Sequence, residues 1–432
     1  MKRKLFDDWN AYLETAASKD PSDDVVSFQS RTTGREIRIE PSLAHQPEGL
    51  SSVAVASGIK HEGVLDLSVV KLSRRAAAAA VFTKSRCPAH AIVFDRRTLA
   101  DGHAQLLAVV SKNANVFTPH GDADVRTLAR WLASEFAVEE NDVVLSCTGV
   151  IGVPLPMDKL ERAVAGLSKN LRPHALDEVS RAILTTDRGP KVCSVKMGDV
   201  VVCAMAKGAG MIEPNMATML AYFFTNAAVP PARLNAILAD AVERTFNAIS
   251  VDSDTSTSDT VALFSTGGVP IQGDAEADFV DAIRCMSIKL ARDIVAQSEG
   301  ATKLIECTVR LDSSPGDAKI VAKKIVNSPL FKAAVHGGDP NWGRIVMAIG
   351  KPDQRLDAHP IAPADVVIEM MGQVVFSRSE LIGTDAGALS RKLRDSTRIP
   401  VDVRIGEGRY GAKVWGCDLS ARYVEINAEY MT

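Results

Sequence analysis

The chain has 432 residues, 46% of them hydrophobic and 24% charged, with a formal net charge of −3. That is the balance of a globular protein long enough for two or three domains. A charge so near zero gives no electrostatic footing for nucleic acid, and aromatic residues at 5% are too sparse for base-stacking platforms.

The first 45 residues read as an appendage. MKRKLFDDWNAYLE begins basic but turns acidic at Asp7 and Asp8, and it has no apolar segment of signal-peptide length. GREIRIE (Gly34–Glu40) is a short strand pattern, either an added edge strand or an arm, in a stretch that otherwise reads equally well as a partly ordered tail. From Ser51 onward come short apolar runs that read as strands. They are SSVAVASGIK, VLDLSVVKL, Ala76–Phe82, Ala89–Phe94 and Leu106–Ser111.

DADVRTLARWLASEF then places Val125, Leu128, Trp131, Leu132 and Phe136 on one helical face, with Asp122 or Asp124 as the expected cap. Val143–Gly152 is a strand ending in a threonine-glycine turn, and MDKLERAVAGLSKNL an amphipathic helix. The strand VVCAMAKGAG leads into Lys207–Val229, and helices follow over ARLNAILADAVERTFNAI and Asp278–Gln297. From Cys307 strands return, alternating with helices, as in a smaller α+β domain. The longest weakly polar run, Pro214–Ala232, contains three prolines and does not read as a membrane span.

Seven scattered cysteines without a CxxC pair fit reduced thiols in a cytoplasmic protein. The histidines form no HExxH and no cysteine-histidine cluster, so a metal site has no support. Chemistry is concentrated instead in polar, turn-rich loops: Asn113–Asn115, Ser146–Gly149, Thr185–Asp187, Lys207–Gly210, Val251–Thr260, Glu299–Lys303 and Gly337–Arg344. Hydroxyls, amides and glycines dominate them, which is the inventory of an oxyanion hole and a small polar ligand pocket. Each also has a structural reading. Val251–Thr260 suits Asx and Ser/Thr turns, and KGAG lacks the GxxxxGK[ST] of a nucleotide loop. By pattern alone Thr218 is either a nucleophile or an ordinary β-branched strand residue.

KGAGMIEPNMATML strongly resembles the self-cleavage site of the ornithine acetyltransferase (bifunctional glutamate N-acetyltransferase) family. Further motifs resemble that family in the same order over about residues 50 to 432. These are VAVASGIK (Val53–Lys60), Cys147-Thr148-Gly149, Thr185–Lys191, VDSDTSTSD, EGATK, DPNWGR and the C-terminal YVxINAxYxT (Tyr423–Thr432).

The resemblance implies an α/β (α+β) layered sandwich of the self-processing aminopeptidase type. It would comprise an extension at 1–45, a catalytic domain at 46–305 and a smaller α+β domain at 306–432. It implies self-cleavage between Ala217 and Thr218 into α and β fragments assembled as (αβ)2 or larger. It implies acetyl transfer from N-acetylornithine to glutamate on Thr218, with small-molecule amino acids as partners, no membrane or nucleic acid, and no cofactor, acetyl-CoA being an alternative acyl donor. Thr148 and Gly149 match the oxyanion pair. Lys207, Thr218, Glu299, Asn427, Thr432 and Thr185 or Thr186 match substrate-binding positions.

The freed α-amine of an N-terminal threonine has a reference pKa of roughly 7.7–8.0, which suits a base for the neighbouring hydroxyl. This sequence departs from the family at Lys112, in place of a glycine, and at Phe117, in place of a cysteine. Both changes motivate an alternative reading with altered substrate preference. Two further readings stand beside it: a hydrolase on the same fold that uses water as acceptor, and a non-catalytic binding protein.

Overall fold

The computed structural model describes residues 26–30, 32–213, 219–356 and 361–429. The cleavage pair Ala217 and Thr218, together with Thr432, lies outside the described residues. The chain divides into two compact units, and the division falls within the helix Asp274–Ala296. Among the described residues, one unit takes 26–247 and 254–290, and the other takes 248–253 and 291–429.

The first unit is built on ten strands: β1 (Val26–Gln29), β2 (Glu36–Glu40), β3 (Leu50–Val55), β4 (Leu67–Phe82), β5 (His103–Asn113), β6 (Val143–Val150), β7 (Lys191–Met197), β8 (Val200–Lys207), β9 (Leu220–Ala228) and β10 (Thr260–Pro270). Their order is β1-β2-β7-β8-β9-β10-β4-β5-β6, with β3 also paired to β4. The expectation of an edge strand at GREIRIE is corrected: β2 pairs with β1 on one side and β7 on the other, so β1 is the edge. β5–β6 and β9–β10 are parallel pairs, and the other pairings are antiparallel. Strands β5, β6, β8 and β9 are buried along most of their length, which is why each reads in sequence as a continuous apolar run.

β4 organises this unit. Two separate apolar runs in the sequence are one strand of 16 residues. Its first half pairs with β3 and β5, its second half with β10, and the register to β5 shifts between Lys71 and Ala76. Laid flat, five strand spacings would set β8 about 24 Å from β6. Instead the sheet turns over at β4, and one core contains Leu107 and Val109 of β5, Val144 of β6, Cys203 and Met205 of β8, and Tyr222 and Phe224 of β9. Phe224 stacks on its register partner Phe264 of β10, with ring centroids 5.3 Å apart. The other face of β4–β6 packs Val69, Leu106 and Leu145 against Leu128, Leu132 and Leu160 of the flanking helices.

Two further local expectations are corrected. Ala89–Phe94 is not a strand but the start of a helix, His90–Thr98, which buries Ala91, Ile92, Phe94 and Asp95. A short apolar run carries no period that separates strand from buried helix, and here packing decides. Asp122 and Asp124 do not cap the following helix. It starts after His120, both aspartates lie in its first turn, and Asp122 bonds His90 Nδ1 at 2.8 Å.

The second unit carries β11 (Leu304–Leu311), β12 (Val366–Met370), β13 (Gln373–Ser377), β14 (Glu380–Leu381), β15 (Arg398–Ile405) and β16 (Tyr410–Cys417), in the order β14-β13-β12-β15-β11-β16. The helix Pro315–Val326 packs on β11 and β16, and Trp415 of β16 is fully buried with its indole N–H on Glu306 at 3.3 Å. Both units thus combine mixed sheets with covering helices, an α/β architecture. Among the described residues no helix is long and apolar enough to cross a membrane.

Candidate active site

The turnover at β4 brings the end of β6 to the end of β8. Thr148 is buried, and its hydroxyl oxygen accepts a hydrogen bond from Lys207 Nζ at 3.2 Å. With that oxygen facing an ammonium, the hydroxyl proton remains available to donate elsewhere. Gly149 follows with φ 137, opposite Lys112 in the parallel register. A Cβ there would lie 2.2 Å from the Lys112 carbonyl carbon, so only glycine fits. Lys112 itself has φ 75 and Phe117 φ 51, left-handed conformations that glycine adopts with least strain. Both departures from the family pattern therefore sit at strained backbone positions, and Phe117 is exposed.

Asp187, which stood in sequence only as the end of a TTD motif, joins two of the motif loops. One carboxylate oxygen accepts from the Gly208 amide at 2.6 Å and from Lys191 Nζ at 2.7 Å, and the other accepts from the Thr185 amide at 3.2 Å. Both side chains of the Asp187–Lys191 pair are fully buried. Burial alone would raise the carboxyl's pKa, but Lys191, Lys207 and the donated hydrogen bonds outweigh it and bring it down to about 2.

Lys60, in VAVASGIK, braces the same loop from behind. Its ammonium donates to the carbonyls of Leu65, Ala182 and Leu184 at 2.9, 2.8 and 2.7 Å. Burial, with the nearby Lys207 and Lys112 charges, pulls its pKa down to about 8 against the opposing pull of Asp66 and Asp187. Asp66 in turn takes the amides of Ser57, Ile59 and Lys60. A lysine inside a glycine-containing loop, six residues before an aspartate, is the sequence signal for this brace, but nothing in the spacing names its carbonyl partners.

Asn113 and Asn115 turn inward to their own loop. Asn113 Nδ2 donates to the Val153 and Pro154 carbonyls, both at 3.0 Å, and Asn115 Oδ1 accepts from Thr118 at 2.8 Å. In the second unit, Asn427 Nδ2 donates to Glu299 Oε2 at 2.9 Å, so the EGATK and C-terminal motifs meet. Gly300 (φ 68) permits this, since a Cβ there would lie 2.4 Å from the Tyr423 nitrogen. The Thr302 and Lys303 amides are fixed by Asp418 at 2.8 and 2.9 Å. None of these residues lines the cavity of about 1200 Å³ in the second unit, which Trp342, Val346, Phe376 and Ile405 help to wall.

Replacing Asp187 by Asn should leave Lys191 as an uncompensated buried charge and cost roughly 3–5 kcal/mol in urea denaturation at neutral pH. The folded pKa lies below the ordinary value of 3.8, so the carboxylate's contribution is complete above that value and fades as pH falls toward about 2. The difference between wild type and Asp187→Asn should narrow over that window, by about 2 kcal/mol in all. A gap unchanged down to pH 2 would contradict the assigned charge.

Comparison with known proteins gives the family of the chain. The ArgJ family model matches residues 51–432. The chain is 40% identical over 377 residues to the arginine biosynthesis bifunctional protein ArgJ 2 of Clostridium acetobutylicum, covering 86% of this chain and 95% of the relative. It is 38% identical over 399 residues to the glutamate N-acetyltransferase Oat2 of Streptomyces clavuligerus, covering 90% and 99%. Among solved structures, the arginine biosynthesis bifunctional protein ArgJ of Bacillus halodurans aligns over 49% of this chain and 100% of its own, at 34% identity and a TM-score of 0.45. A family model spanning both units, together with relatives matched over nearly their whole length, shows that the chain belongs to the ArgJ family.

Proposed function

We propose that the chain is a self-cleaving acyltransferase of arginine biosynthesis that moves an acetyl group from N-acetylornithine to glutamate. The observation that carries this reading is the buried contact between Lys207 and Thr148 beside the glycine-only position Gly149. It is supported by the family membership and by the names of the relatives. In the first stage the Thr218 hydroxyl attacks the Ala217 carbonyl, the amide becomes an ester, and water hydrolyses that ester. The products are an α fragment ending at Ala217 and a β fragment whose N-terminus is Thr218.

In the second stage the freed amine accepts the Thr218 hydroxyl proton as the oxygen attacks the acetyl carbonyl of N-acetylornithine. That proton goes to the departing nitrogen, and ornithine leaves. The amino group of glutamate then attacks the acetyl ester, N-acetylglutamate forms, and the hydroxyl is restored. The Thr148 hydroxyl and the Gly149 amide hold the oxyanion in both steps, each donor being worth roughly 10²–10³ in rate.

The motif positions assign Lys207, Glu299, Asn427, Thr432 and Thr185 or Thr186 to substrate binding. Domains at 1–45, 46–305 and 306–432, an (αβ)2 assembly, a cytoplasmic location, the absence of a cofactor and acetyl-CoA as alternative donor belong to the same reading.

Intact mass and N-terminal sequencing of wild type should give two fragments, one beginning at Thr218. Thr218→Ala should give a single inactive chain. Fragments split after Ala217 in that variant would end the assignment.

A second reading, altered substrate preference on the same chemistry, is favoured by the left-handed Lys112 facing Gly149. Lys112→Gly should relieve backbone strain, change stability by about 1 kcal/mol or less once glycine's unfolded-state entropy is included, and move the ratio of kcat/KM between competing acyl donors. An unchanged ratio over a donor panel would remove this reading.

A further inference from the structure

One buried carboxylate that the scheme above does not use ties EGATK to the residue before GGDPNWGR and to the root of the C-terminal helix. β11 and β16 pair as far as Leu304 and Cys417, and Asp418 is the first residue beyond that ladder. Its side chain has no exposed surface, and its two oxygens take four donors. Oδ1 accepts the Thr302 and Lys303 amides at 2.8 and 2.9 Å. Oδ2 accepts the Thr302 hydroxyl at 2.5 Å and His336 Nδ1 at 2.7 Å. His336 lies in the last turn of the helix Pro329–Gly337, directly before GGDPNWGR.

The strands themselves are held by their own backbone ladder. What Asp418 fixes is the loop before β11 and the chain that enters the helix Ala421–Glu429. The two segments run side by side from there. The Asp418 amide donates to the Lys303 carbonyl at 3.2 Å, Ser420 Oγ donates to the Gly300 carbonyl at 2.6 Å, and Asn427 Nδ2 reaches Glu299 Oε2 at 2.9 Å. On its other side the loop is anchored by the Lys303 ammonium, which donates to the carbonyls of Leu393, Arg394 and Ser396 at 2.6, 2.9 and 2.9 Å.

Glu299 is buried as well. A carboxylate in such a setting interacts strongly with a ligand cation, and that interaction depends steeply on where the carboxylate stands. Glu299 lies three residues from Thr302, with a glycine between them, so its position is only as fixed as the loop that carries it.

We propose that Asp418 is a positioning residue for amino-acid binding, locking EGATK to the C-terminal helix so that Glu299 and Asn427 act on the substrate as one unit. This rests on the reading above that those two residues bind substrate. With its side chain fully enclosed, Asp418 acts through the loop and not on the ligand. His336 supplies the one side-chain donor to this carboxylate from outside EGATK, which gives the segment before GGDPNWGR a place in the same device.

The test is a double-mutant cycle on wild type, Asp418→Ala, Glu299→Ala and the double variant. Intact mass first checks cleavage, and steady-state acetyl transfer from N-acetylornithine to glutamate is then measured. Asp418→Ala should cleave as wild type does and raise KM for the amino-acid substrates about tenfold, the scale of one lost charged hydrogen bond. Its kcat should stay within about threefold, as expected when binding alone is weakened. In the Glu299→Ala background the further loss in KM should be less than about twofold, because the group being positioned is gone.

A purely structural role would lower the urea midpoint and leave KM as in wild type. Unchanged KM in Asp418→Ala, a fall in kcat at constant KM, or losses that multiply in the double variant would each overturn the proposal. If Asp418→Ala yields no soluble protein, Asp418→Asn, which keeps an oxygen for the two amides but turns a donor toward Thr302 and His336, is read by the same outcomes. Wild type that transfers no acetyl, or Glu299→Ala with wild-type KM, would remove the binding reading and this proposal with it. An active wild type, a Glu299→Ala variant with raised KM and an insensitive Asp418→Ala remove the role of Asp418 alone.

Discussion

One buried carboxylate holds together the loops on which this candidate site depends. Asp187 takes an amide from the TTD loop, another from the glycine loop behind Lys207, and the ammonium of Lys191. Two loops rich in glycine, threonine and proline have little apolar surface with which to fix themselves. A charge-assisted network in a dry setting supplies that rigidity, since each partner would be left uncompensated if the other moved. Lys60 does the same from the far side through three carbonyls, two of which, Ala182 and Leu184, are at the end of a helix and in the turn after it. The ammonium thus faces the negative end of that helix. Lys207 is held by its strand, and its buried ammonium reaches Thr148 near the end of β6.

That network has meaning only because the sheet turns over. Strands β6 and β8 are distant in sheet order, yet their ends meet because β4 changes partners halfway along and passes the sheet from one layer to the next. The run of small alanines at 76–80 falls where β4 changes partners, and the helix Pro231–Arg244 packs against this strand. The packed interior between the layers, which includes the Phe224–Phe264 stack, makes the approach of Thr148 and Lys207 a property of the core. Strand β9 lies in that core, and the Met219 backbone just before it is fixed by Asp259 and Thr260.

Much of this was legible in the sequence. Continuous apolar runs marked the doubly covered strands, and the collinear motifs marked the segments that carry Thr148, Lys207, Glu299 and Asn427. What was not legible was pairing. Periodicity cannot tell that two apolar runs form one bent strand, nor that Ala89–Phe94 is helical, because both depend on which surface each residue meets. The roles of Asp187 and Lys60 were hidden for the same reason. Each bonds mainly to backbone groups, which carry no side-chain signature in sequence. Lys112 was visible as a departure, but its left-handed conformation and its closeness to Gly149 came only with the structure.

The account stands on an acetyl group carried by Thr218. Purified protein incubated with N-acetylornithine and without glutamate, quenched in acid and analysed by mass spectrometry, tests this directly. A fragment beginning at Thr218 that carries one acetyl group on that residue, and loses it when glutamate is added before the quench, is the expected result. A chain that transfers acetyl to glutamate while Thr218 remains unmodified, or while the chain stays uncleaved, would contradict the account.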